Sequence, residues 1–117
     1  MILADTSVWI DHFRSGNREL ADLLNRNLIL VHPFVIGELA CGNLKNRVKI
    51  LSLLADMPAT KVATDNEVLY FIEQAELMGK GIGYIDAHLL AAVSLSSPAR
   101  LWTRDKKLKS IAHGLHL

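Results

Sequence analysis

The sequence predicts an α/β fold in three layers, α/β/α, with a mostly parallel central sheet. Two observations lead there. Short apolar runs of strand length alternate from end to end with longer stretches whose apolar residues recur at helical spacing. Such connections are right-handed crossovers, which place helices on both sides of a parallel sheet. The chain has 117 residues, half of them apolar, enough for one core, and a single domain over residues 1–117 is expected.

Met1 to Ala4 is a short apolar run closed by the polar trio Asp5, Thr6 and Ser7, the pattern of a strand buried on both faces. Ser7 is placed to cap a short helix through Phe13, which Ser15-Gly16-Asn17 breaks. Asn17 then caps a second helix, with Leu20, Leu23, Leu24 and Leu28 on one face and Arg18, Asp22 and Arg26 on the other. Leu28 to Val31 reads as strand two, stopped by His32-Pro33. Phe34 to Cys41 carries Ile36, Leu39 and Ala40 at helical period, so Glu38 sits on a helix. Asn46 to Asp56 is a further helix ended by Met57-Pro58, and Thr60 to Ala63 is a weak strand. Asp65 to Met78 is the clearest helix, with Val68, Phe71, Ile72 and Ala75 at i, i+3, i+4 and i+7. After Lys80-Gly81-Ile82-Gly83, which reads as a hinge, Ile85, Leu89, Ala92 and Val93 mark a helix whose first turn holds Asp86. Arg100 to Thr103 reads as a strand, Asp105 to Ala112 as a short helix, and Leu115 to Leu117 as a last strand.

Several classes drop out. The single Cys41 cannot close an intrachain disulfide, and no Cys or His spacing suits zinc, so a reducing cytoplasm is expected. There is no basic leader, and no apolar run approaches the roughly 20 residues that span a bilayer, so the protein is expected to be soluble and unprocessed.

In open α/β sheets the functional crevice lies beyond the carboxyl ends of the strands. Asp5 and Asp105 follow strands, Glu38 stands one turn into the helix after strand two, and Asp86 lies in the first turn of a late helix. All four can reach the same edge. Each alone has a local role, as a turn, a solvated helix residue, a cap or a first-turn charge. Brought together they repel, and burial raises their pKa values, so a cation is what makes such a cluster tolerable at neutral pH. Oxygen-only ligands select Mg²⁺, with Mn²⁺ as a substitute. An ion held this way activates water and neutralises charge developing on a phosphate.

Met1-Ile-Leu-Ala-Asp-Thr-Ser-Val-Trp-Ile-Asp11, Val35-Ile-Gly-Glu-Leu-Ala40, Ile85-Asp-Ala-His-Leu-Leu-Ala91 and Leu101-Trp-Thr-Arg-Asp-Lys-Lys-Leu108 resemble, in order, the four motifs of PIN-domain ribonucleases, and closely those of VapC-type toxins. The resemblance implies that Asp5, Glu38, Asp86 and Asp105 form the catalytic pocket, with Asp5 and Asp86 as direct Mg²⁺ ligands and Thr6 and Thr103 as supports. It also implies an endoribonuclease toxin of a type II toxin–antitoxin module, neutralised by a VapB-like antitoxin and homodimeric. The chain departs from the pattern in being short, with little between Ala63 and Asp65 and few residues beyond Leu108.

Charge agrees with an RNA substrate. Setting the four acids aside leaves eight acidic against 13 basic residues, and Arg100, Arg104, Lys106, Lys107 and Lys109 crowd around Asp105, where they can contact phosphates. The alternative is a solvated basic helix. Trp9, Ile10 and Phe13 are either core or a patch offered to the antitoxin. His12, His32, His88, His113 and His116 share no ligand face, and Cys41 reads as a small packed side chain. A phosphatase of the haloacid dehalogenase type needs a second Asp where Ser7 stands. The remaining competitor is a non-enzymatic α/β protein-binding module whose acids are incidental caps.

Overall fold

A computed structural model describes all residues 1–117. Strand β1 (Ile2–Ala4) lies between β2 (Ile29–Leu30) and β3 (Arg100–Trp102), giving the order β2-β1-β3. Ile2 and Leu3 pair with Ile29 and Leu30 on one side, and Ile2, Leu3 and Ala4 pair with Arg100, Leu101 and Trp102 on the other. Every pairing is parallel, and Leu3 and Ala4 are fully buried, as a central strand covered on both faces requires.

Helices α1 (Thr6–Ser15) and α2 (Arg18–Asn25) connect β1 to β2. Four more, α3 (Pro33–Cys41), α4 (Arg47–Ala55), α5 (Asp65–Gln74) and α6 (Tyr84–Leu95), carry the chain back across β1 to β3, and α7 (Lys106–Gly114) follows. Helix α6 is buried at every position from Ala87 to Val93, so it is the internal helix of its layer. The main core gathers Leu3, Val8, Leu20, Ile29, Val35, Leu39, Leu89 and Val93 from both sides of the sheet. A second cluster joins Val68 to Ala87 and Ala91, and a third joins Leu90 to Leu108 and Ala112, fixing α5 and α7 to α6. Asn17 caps α2 as expected, its side chain accepting from the Leu20 N–H at 2.9 Å.

Five expectations are corrected. Asp5, not Ser7, caps α1, because the helix begins two residues earlier, at Thr6. Thr60 to Ala63 is not a strand: Val31 bridges Ala59 alone, after which Ala63 turns into the cluster with Val68. Helix α5 stops at Gln74 rather than Met78, since Glu76 adopts a left-handed backbone (φ 53°) that α-helical hydrogen bonding cannot pass. Leu115 to Leu117 is not a strand either. His116 is left-handed (φ 60°), so the Leu117 N–H folds back onto the Ala112 carbonyl at 2.8 Å, while its own carbonyl accepts from the Leu101 N–H at 2.8 Å. Finally, Cys41 is exposed, because α3 ends there, beyond its core residue Leu39.

Candidate active site

Parallel register builds the pocket. The Asp5 N–H donates to the Trp102 carbonyl at 3.0 Å, extending the β1–β3 ladder by one rung and bringing Asp5 alongside Thr103. The Asp5 carboxylate is only 6% exposed and receives three donors. The Val8 N–H (3.2 Å) and the Ser7 hydroxyl donate to Oδ1, and the Thr103 hydroxyl donates to Oδ2. Both hydroxyls are themselves anchored: Thr103 accepts from the Asp105 N–H and Ser7 accepts from the Arg104 N–H, each at 3.0 Å. Asp5 is thereby held in one orientation and tied to the turn between β3 and α7.

The other acids arrive from separate helices. Asp105 caps α7, its Oδ1 accepting from the Leu108 N–H at 3.0 Å. Glu38, in the second turn of α3, accepts from the Thr6 hydroxyl at 2.6 Å, an exposed contact that joins α1 to α3. Asp86 is half-buried in the first turn of α6. Burial pushes its carboxyl above the ordinary aspartate range; a backbone hydrogen bond from Gly83 opposes this, and the negative charges of Asp105, Asp5 and Glu38 push it further up. Asp5, Glu38 and Asp105 therefore each lie within electrostatic reach of Asp86. No three His, Cys, Asp or Glu side chains form a ready-made metal cage.

Of the five basic residues expected around Asp105, two are held individually and three share a cleft. Arg104 is tethered to α1: its Nη1 lies 2.7 Å from Asp11 Oδ1, and Asp11 Oδ2 accepts from Asn17 Nδ2 at 3.1 Å. Lys107 lies across Gly81, where a left-handed backbone (φ +81°) and a Lys107 Nζ 3.0 Å from the site of any Cβ favour glycine. Arg100, Lys106 and Lys109 line a separate cleft.

Ser7 and Asp11 escaped the sequence reading as site-building residues. Their signal was a hydroxyl two residues after the first acid and a carboxylate four residues further on, at the i, i+4 spacing that shares one helix face. Trp9 is buried and packs on Phe13 with ring centroids 5.8 Å apart, so both belong to the core, whereas Ile10 is 41% exposed. His32 and His88, both buried, come together with centroids 6.4 Å apart, beside half-buried Phe34 and exposed Tyr84. His88 Nε2 lies 3.3 Å from Asp65 Oδ1 without hydrogen-bond geometry.

The PIN domain family model matches residues 2–114. Two relatives, both named Ribonuclease VapC32 and both from Mycobacterium tuberculosis (strains CDC 1551 / Oshkosh and ATCC 25618 / H37Rv), are each 48% identical over 110 residues. That alignment covers 94% of this chain and 89% of each relative. With the parallel sheet and the ordered acid-bearing motifs, a match of this extent means that the chain belongs to the PIN-domain family.

Proposed function

We propose that this protein is a Mg²⁺-dependent endoribonuclease, the toxin of a type II toxin–antitoxin pair, acting as one domain through Asp5, Glu38, Asp86 and Asp105. The observation that carries this reading is the convergence of acids from β1, α3, α6 and α7 at the carboxyl end of a parallel sheet, in a chain 48% identical to proteins named ribonucleases. Capping explains why Asp5 and Asp105 sit where they do, but it does not require Thr6 to reach Glu38 or Asp86 to face three other acids.

The donor set suits a small hard cation. Mg²⁺ is held by one or two carboxylates together with waters and substrate phosphates rather than by an all-protein cage. Crowding of like charge around Asp86 is the strain that such a cation relieves. Asp5 and Asp86 would hold it, with Mn²⁺ as a substitute. When bound, the ion supplies charge neutralisation at the phosphate and an acidified water. Ser7 and Thr103 fix the Asp5 oxygens in advance, and Thr6 does the same for Glu38. Glu38 and Asp105 then orient water and hold protons, and no side-chain nucleophile is needed. Arg104, whose guanidinium rests on Asp11 and whose N–H donates to Ser7, would meet a phosphate oxygen.

The relatives' VapC name supports a VapB-like antitoxin as partner, and we extend the reading to a homodimer in the cytoplasm; no helix is long and apolar enough to cross a membrane. Exposed Ile10 on α1 is what the first helix leaves for a partner. The test is cleavage of structured RNA by antitoxin-free protein with Mg²⁺ or with EDTA, repeated for Asp5→Asn and Asp86→Asn. Cleavage should need Mg²⁺ and fall about 10²- to 10³-fold in each variant. Equal cleavage by all three proteins, or full cleavage in EDTA, overturns the assignment.

A further inference from the structure

Between β3 and α7 runs a cleft of about 460 Å³ that the pocket chemistry does not use. Arg100 enters it from β3, and Lys106, Lys109 and His113 enter it from α7, where their i, i+3, i+7 spacing puts them on one face. No Asp or Glu side chain lines it. Nor are its cations paired with acids elsewhere: the Arg–carboxylate ion pairs of the molecule are Arg26–Asp22 and Arg104–Asp11, and neither involves Arg100, Lys106 or Lys109. Like charges gathered in one groove repel, and a polyanion is the ligand that turns this repulsion into attraction.

We propose that this cleft binds the phosphate backbone of RNA flanking the cleaved bond. The inference rests on the nuclease reading and deepens it by saying where the substrate runs beyond the pocket. Helix α7 is capped by Asp105, a pocket acid, so its basic face starts at the pocket. From Asp105 to His113 the helix rises about 12 Å, leading away from the acids along Lys106 and Lys109. The outer edge of β3 is closed at Leu101, whose N–H already donates to the Leu117 carbonyl, so a protein strand cannot add there by backbone pairing. Recognition is left to the long basic side chains, which suits phosphates.

The test compares wild type with Lys106→Gln/Lys109→Gln, both sites being exposed, and with Lys45→Gln/Lys61→Gln, which removes the same charge from exposed sites elsewhere. Binding of a labelled single-stranded RNA is followed by fluorescence anisotropy in EDTA from 50 to 200 mM salt. Loss of two phosphate contacts should lower the log–log salt slope by about 1.4, so that wild-type affinity falls ~7-fold more than the variant's over this range. With Mg²⁺, KM for the same RNA should rise about 10-fold at 200 mM salt while kcat holds, and a trinucleotide should be cleaved as by wild type. An unchanged slope and KM, or an equal change in the control variant, overturns the proposal. So does loss of poly-glutamate binding with RNA binding intact, which would assign the cleft to an acidic protein segment. If wild type cleaves no RNA but the slope still drops in the cleft variant, the nuclease reading fails and the cleft assignment stands.

Discussion

Acidification should destabilise this protein through His32. The ring is fully buried and caps α3, its Nδ1 accepting from the Phe34 N–H at 3.0 Å. Its proton therefore sits on Nε2, which meets no acceptor. A second proton would have to displace the cap, in an apolar setting shared with Phe34 and with His88 of α6; Tyr84 and Asp65 face His88 from the other side. Burial, and after it the neighbouring His88, pulls the His32 pKa down from 6.5 to about 4. An unfolded chain takes up this proton below pH 6.5, but the folded protein refuses it until about pH 4. The stability contributed by neutral His32 is thus complete above pH 6.5 and is lost as pH falls towards 4. The whole window corresponds to about 3 kcal/mol, of which ~2 kcal/mol is lost between pH 7 and 4.5, a large share of the roughly 5–15 kcal/mol that holds a small domain together. Urea unfolding monitored by Trp9 and Trp102 fluorescence, at both pH values, measures it against His32→Asn. Asparagine keeps a capping oxygen but does not titrate. The variant should be weaker at pH 7, from lost packing, yet lose about 2 kcal/mol less on acidification. The carboxylates titrate alike in both proteins, so parallel losses would refute the reasoning.

Other outcomes follow from the site. Thr103→Val strips the donor from Asp5 Oδ2 and should lower RNA cleavage about 10- to 100-fold, with Thr103→Ser restoring it; a fully active valine variant would remove Thr103 from the site. Mg²⁺ at 100 times its Kd should raise unfolding stability by about 2.7 kcal/mol, measurable by urea titration, and Asp5→Asn should abolish the gain. Thr64→Ala breaks the capping box with Glu67 at the start of α5 and should cost about 1 kcal/mol while leaving cleavage unchanged, since α5 contributes none of the four acids.

Local chemistry made much of this protein legible before any coordinates. The 3.6-residue period marked the helices after the first, Asn17 announced α2, and the apolar run Met1 to Ala4 announced a strand buried on both faces, because these signals act between neighbours in the chain. The four acids could be picked out from the motifs around them, and their positions after strands or in first helical turns aimed them at one edge. Contacts between distant segments were decided only by tertiary structure. Nothing near Ser7 states that its hydroxyl will bridge Asp5 to Arg104, or near Asp11 that it will hold the Arg104 guanidinium, because both follow from the β1–β3 register linking residues almost a whole chain apart. The same holds for His32 and His88, distant in sequence and brought edge to face by the fold. The segments misread as strands, Thr60–Ala63 and Leu115–Leu117, show the limit most plainly. Their composition allowed extended structure, but a strand needs a partner, and the folded chain supplied only a single bridge at Ala59, just before the first, and a left-handed turn in the second.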